Sequence, residues 1–127
     1  MLGELWPQAN LKLLLHLNGN STDSSGLSHS GTDTAITYSQ ANGRLGQGAG
    51  FGASTSKIVI TNHADLRPTG NFSLGFWIKT ATTGAWKTIF QSFNLEGTSY
   101  AGFDILISST NKVSFSIYRN TGETSVS

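Results

Sequence analysis

At 127 residues the chain is long enough for one domain with a core and too short for two. Charged residues make up 12 % of it, against about 25 % in an ordinary globular protein. Ser, Thr, Asn and 15 glycines fill the difference, a composition of hydroxyl-rich sheets joined by tight turns. A net charge of +1 without any run of like charge excludes an electrostatic footprint for nucleic acid or an anionic membrane. The lack of cysteine excludes a disulfide scaffold, a thiolate metal site and a cysteine nucleophile.

Met1 to Pro7 has neither a basic flank nor a long apolar stretch, so no signal peptide is read there. The longest apolar run, Leu13-Leu14-Leu15, falls far short of a membrane span. Leu11, Leu13, Leu15 and Leu17 share one side of an expected strand, and Asn18-Gly19-Asn20 ends it as a turn. A helix capped by Asn10 is the alternative over the same leucines. A polar loop follows over 21–32, then a short strand over 34–38, a glycine-rich connection over 43–50 and a strand over 57–61.

The clearest alternation lies further on. Phe72, Leu74, Phe76 and Ile78 fall on one face of an expected strand over 72–79. Val113, Phe115 and Ile117 alternate with polar neighbours in the same way, and strands over 86–93 and 101–107 lie between. No window carries an amphipathic helical repeat. Many short strands separated by turn signals predict an all-β, antiparallel β-sandwich of jelly-roll type, spanning 1–127 as one domain. The closing residues 121–127 read as a turn and the opening of a further strand. The jelly roll is therefore expected to be incomplete, cut at its C-terminal end or completed by a partner chain.

Four segments in order carry a family resemblance. Leu13-Leu14-Leu15-His16-Leu17-Asn18-Gly19-Asn20 with Asp23-Ser24-Ser25-Gly26 resembles the opening of laminin G-like domains of the concanavalin A-like jelly-roll class. Gly43-Arg44-Leu45-Gly46-Gln47-Gly48-Ala49-Gly50-Phe51-Gly52 resembles their glycine-rich turn, and Ile58-Val59-Ile60 the strand after it. Thr69-Gly70-Asn71-Phe72-Ser73-Leu74-Gly75-Phe76-Trp77-Ile78-Lys79 resembles their Gly-Asn-Phe-Ser turn and Trp-Ile-Lys strand. The opening and the Phe-Trp segment are similar to versions in bacteriophage virion and metagenomic proteins. The family's later Trp-His strand and Tyr-x-Asp-Gly hairpin are missing, which is the main ground for expecting truncation. The resemblance implies a recognition module in an extracellular or virion protein. It also implies metal sites near the first loop.

Candidate chemistry is sparse. A retaining glucanase of this class needs paired carboxylates about 5 Å apart, from a Glu-x-Asp-x-x-Glu strand. Glu4, Glu96 and Glu123 stand alone, so no enzyme is expected, and a glycoside hydrolase fragment is the remotest reading. Calcium is the candidate cofactor, with Asn18, Asn20, Asp23 and Ser25 as oxygen ligands; Asx turns are the alternative use of the same residues. Carbohydrate binding would use Trp86 and Trp77 as platforms with Tyr100 and Asn94, Trp77 serving equally as a core residue. A protein surface is the other candidate partner. An assembly domain, homo-oligomeric or paired with the remainder of the jelly roll through strand edges, is the runner-up function. His16, His29 and His63 lack ligand spacing and read as surface or turn residues. Gly46-x-Gly48-x-Gly50 lacks the βαβ context of a dinucleotide site. Sequons at Asn20 and Asn71 bear only on a eukaryotic secretory route.

Overall fold

A computed structural model describes residues 10–80, 84–96, 99–119 and 122–126, of which 94–96, 99–101, 119 and 122–126 are described by backbone alone. The fold is all-β, with every paired strand antiparallel. Among the described residues no helix is long and apolar enough to cross a membrane. The chain divides into two compact units, Met1–Lys79 and Thr80–Ser127.

The first unit is built from short ladders. Strand β1 (Gly31–Thr34) pairs with β4 (Lys57–Ile60), Gly31 opposite Ile60 and Thr34 opposite Lys57. Strand β2 (Thr37–Ser39) pairs with β3 (Gly48–Gly50), which lies inside the glycine-rich connection. The strand expected over 34–38 is thus split in two. Ala35 takes φ 49°, a left-handed conformation that breaks an extended run, and the Ser56 hydroxyl donates to its carbonyl at 2.7 Å. Gly31 has no room for a side chain, because a Cβ there would collide with Ile58 and Ser21.

Residues 11–17 form neither the expected strand nor the alternative helix. They contribute an isolated bridge, Leu15 opposite Asp23, and Leu17 turns the chain at φ 54°. The alternation over 72–79 is likewise assigned to no strand. Phe72, Leu74, Phe76 and Ile78 remain 40–49 % exposed. An alternating pattern specifies which side chains share a face, but a strand also needs a neighbour in register to satisfy its backbone.

The second unit is a four-stranded meander: β5 (Lys87–Glu96), β6 (Ser99–Ile107), β7 (Val113–Arg119) and β8 (Gly122–Val126). Its register aligns Phe90, Ile105 and Phe115 across three strands. Phe103, beside Ile105 on the same face, stacks on Phe90 at 5.5 Å and meets Phe115 at 6.1 Å. Phe103, Ile105 and Ile107 are the buried apolar residues among those described, each contributing about 1.5–3 kcal/mol of burial. A register shift between Thr88 and Phe90 leaves a bulge that resets the alternation of β5.

Gly102 sits opposite both Phe93 and Tyr118. Those rings meet edge-on at 5.0 Å, filling the space a side chain would take. Gly102 has φ 154°, and a Cβ there would run into the Ser92 carbonyl. Gly102→Ala is therefore expected to destabilise the protein by more than about 1 kcal/mol, read as a lower urea midpoint at unchanged m. A midpoint equal to that of the parent chain would contradict this account of the glycine.

Candidate functional site

The polar loop between residues 18 and 30 is organised by one carboxylate. Asp23 Oδ1 accepts from the backbone N–H of Leu14 at 3.0 Å and of Ser25 at 2.9 Å. Its Oδ2 accepts from the Ser25 hydroxyl at 2.7 Å and the His29 N–H at 2.9 Å. Partial burial acts to raise the carboxyl pKa, but the donors from Leu14, Ser25 and His29 outweigh it and hold the group at about 2.

Each residue expected to bind calcium already accepts a backbone hydrogen bond, Asn20, Asp23 and Ser25 within local turns and Asn18 from the distant Gln47. Asn18 Oδ1 accepts from the Gln47 N–H at 3.1 Å, and Asn20 Oδ1 from the Thr22 N–H at 3.0 Å. Ser25 Oγ also accepts from the Leu27 N–H at 3.2 Å. A carboxylate offers about four lone-pair positions, and those on Asp23 face three donors of its own loop and the N–H of Leu14 before it. A hard cation here would compete with these N–H groups for a single negative charge. The bonds Asn20 to Thr22 and Asp23 to Ser25 are those of Asx turns.

A second polar knot joins Ser21, Asp33 and Tyr38. The buried Ser21 hydroxyl donates to Asp33 Oδ1 at 2.6 Å, and the Tyr38 hydroxyl donates to Oδ2 at 2.7 Å. Burial and the bond to Asp33 together push the Tyr38 phenol up to about 12.

The cluster that sequence spacing does not reveal lies at the end of the β1–β4 ladder. His29 precedes Gly31, and His63 follows Ile60, its register partner, so the ladder brings the two histidines side by side. Their rings are 4.7 Å apart. His63 caps the 3-10 turn Ala64–Leu66, its Nδ1 accepting from the Asp65 N–H at 3.3 Å. Asp65 Oδ2 lies 3.0 Å from His63 Nδ1 and 3.5 Å from His29 Nε2, while Lys12 Nζ stands 3.6 Å from Oδ1. Burial opposes ionisation of Asp65, and its attraction to the neighbouring Lys12 and His63, with a contact from His29, overcomes it to lower its pKa. Contrary to the surface reading, the His29 side chain is only 9 % exposed. An open cleft of about 280 Å³ is lined by Leu27, His29, Thr61, Asn62 and His63.

Of the aromatic candidates, Trp77 is 80 % exposed and so is no core residue; the Arg44 guanidinium sits 5.7 Å from its ring centre. Trp86, in the second unit, is 63 % exposed just before β5, where Gly84 N–H donates to the Ser109 carbonyl at 3.1 Å. The side chains of Asn94 and Tyr100 lie outside the described residues. In comparisons with known proteins, no family model, curated protein or solved structure matches the chain.

Asp23→Ala is expected to cost about 2–3 kcal/mol, because it strands four donors at once. The parent stability held by this depressed carboxyl should be fully present above the unfolded value near 3.8 and drain away as pH falls toward about 2. Denaturant midpoints of the two proteins measured from neutral to acid pH check this. The gap between them should narrow at the acid end.

Proposed function

We infer that the chain is a non-catalytic recognition module of laminin G-like, jelly-roll type, binding carbohydrate as part of a larger extracellular or virion protein. The observation that carries this reading is the exposure of Trp77 with Arg44 above its ring. An indole ring left in water contributes nothing to a core, yet it offers a flat apolar platform to the C–H face of a sugar. The adjacent guanidinium is a planar fork of donors that can reach hydroxyl or carboxylate groups at the sugar's edge. Trp86 gives the second unit a comparable ring. Catalysis has no place in this reading, which asks only for stacking and hydrogen bonding.

A second reading is favoured by one further observation. Phe72, Leu74, Phe76 and Ile78 are exposed along a segment whose backbone is in no strand. Such a segment suits pairing with a protein partner by β-augmentation, the backbone supplying affinity and alternate side chains specificity.

Glycan-array screening followed by calorimetry separates the two. Under the carbohydrate reading a sugar class binds saturably, and Trp77→Ala weakens binding by about 1.4–2.8 kcal/mol, or roughly ten- to a hundred-fold. If no glycan binds and light scattering reports concentration-dependent association abolished by Phe76→Ser, the assembly reading takes its place.

A further inference from the structure

We propose that His29, His63 and Asp65 form a binding site for a divalent transition metal of the zinc class. The recognition reading neither requires nor supplies this site.

The donor set is the first ground. Two neutral imidazoles and one carboxylate suit zinc, whereas calcium and magnesium prefer oxygen alone. Geometry is the second. Ligand atoms about 2.0–2.1 Å from a tetrahedral ion stand roughly 3.3 Å from one another. Asp65 Oδ2 lies 3.0 Å from His63 Nδ1 and 3.5 Å from His29 Nε2, and one ligand atom from each residue falls within 4.8 Å of the others. Little movement is needed to close the three around an ion.

The third ground is independent of the clustering. His29 Nε2 is buried and has no hydrogen-bond partner, although its side chain is more than nine-tenths buried. A buried imidazole nitrogen without a close partner is costly, and this one faces the Asp65 carboxylate at 3.5 Å, an ion-pair separation longer than an ordinary hydrogen bond. His63 Nδ1 faces the same carboxylate, 3.0 Å from Asp65 Oδ2, and the Asp65 N–H that its lone pair accepts lies at 3.3 Å, a long bond that an ion would displace.

The supports are in place. The Asp23 carboxylate fixes the His29 backbone, the 3-10 turn fixes His63 against Asp65, and Lys12 holds the other Asp65 oxygen. Three protein ligands would leave a fourth position for water or an incoming donor, and two of the three, His29 and His63, line the cleft with Thr61 and Asn62.

The test is calorimetric titration of the full chain with zinc at neutral pH, repeated with calcium, and with cobalt(II) followed by its visible absorption. His63→Asn keeps a capping acceptor, and Asp65→Asn keeps the shape; both positions are partly exposed, so their metal-free unfolding temperatures should stay near the parent's. The expected result is one zinc per chain, a raised unfolding temperature, no calcium response, and affinity about 10- to 100-fold weaker in either variant. His16→Ala, remote in sequence and exposed, should bind as the parent does. No saturable zinc uptake would overturn the proposal. So would uptake unchanged in both variants, or uptake lost with His16.

Discussion

An ionised carboxylate can hold as many as four donors, and the first unit depends on Asp23 doing so. Leu14, Ser25 and His29 have no common strand, yet each gives Asp23 a hydrogen bond and is fixed relative to the others. The end of the leucine segment is thereby tied to the entry of β1. The β1–β4 pairing begins just beyond, at Gly31 opposite Ile60, and brings the residues before Gly31 to those after Ile60. A charged acceptor suits this task because its bonds are short and roughly twice as strong as neutral ones. They remain useful in a loop that water can reach.

The two units reach order by different means. In the second, alternation along β5, β6 and β7 gathers Phe90, Phe103, Ile105 and Phe115 on one face, and burial does the work. The opposite face of β6 is not simply solvated. Asp104 is 6 % exposed beside buried Ser116, with the Tyr118 hydroxyl donating to Oδ2 at 3.1 Å. The aromatic pair over Gly102 then covers a place where the backbone strands approach too closely for any side chain. Among the described residues of the first unit, by contrast, Ser21 alone is buried.

That contrast explains what could be read from the chain beforehand. The strands over 101–107 and 113–118 were legible because alternating apolar residues there do face a common layer, and the strand over 57–61 differs from β4 by a single residue. Leucines 11 to 17 and the run from Phe72 to Ile78 carry equally clear patterns, but pattern alone supplies no partner in register. Ala35 was illegible as a break, since nothing in an alanine announces a left-handed turn, and the Ser56 hydroxyl that bonds its carbonyl comes from 21 residues away. The turn chemistry of Asn20 and Asp23 was legible as local spacing. The His29–His63–Asp65 cluster was not, because its members meet only through the long-range pairing of β1 with β4. A His-x-Asp spacing at 63–65 is too common to single out.

A unit held by polar bonds and short ladders has little apolar burial to lend it stability, and two-stranded pairings of this length are marginal in water. Its stability must therefore respond strongly to whatever binds it. Any ligand that favours the folded form adds RT ln(1 + [L]/Kd), and that addition is a large fraction of a small total. The groups that could receive such a ligand are the exposed Trp77 ring, the exposed Leu74 and Phe76 beside it, and the buried nitrogen of His29. Binding and folding in this unit consequently draw on the same interactions. A change at the binding surface should alter its thermal stability in the bound state far more than in the free one, whereas a change at Asp23 should alter both alike.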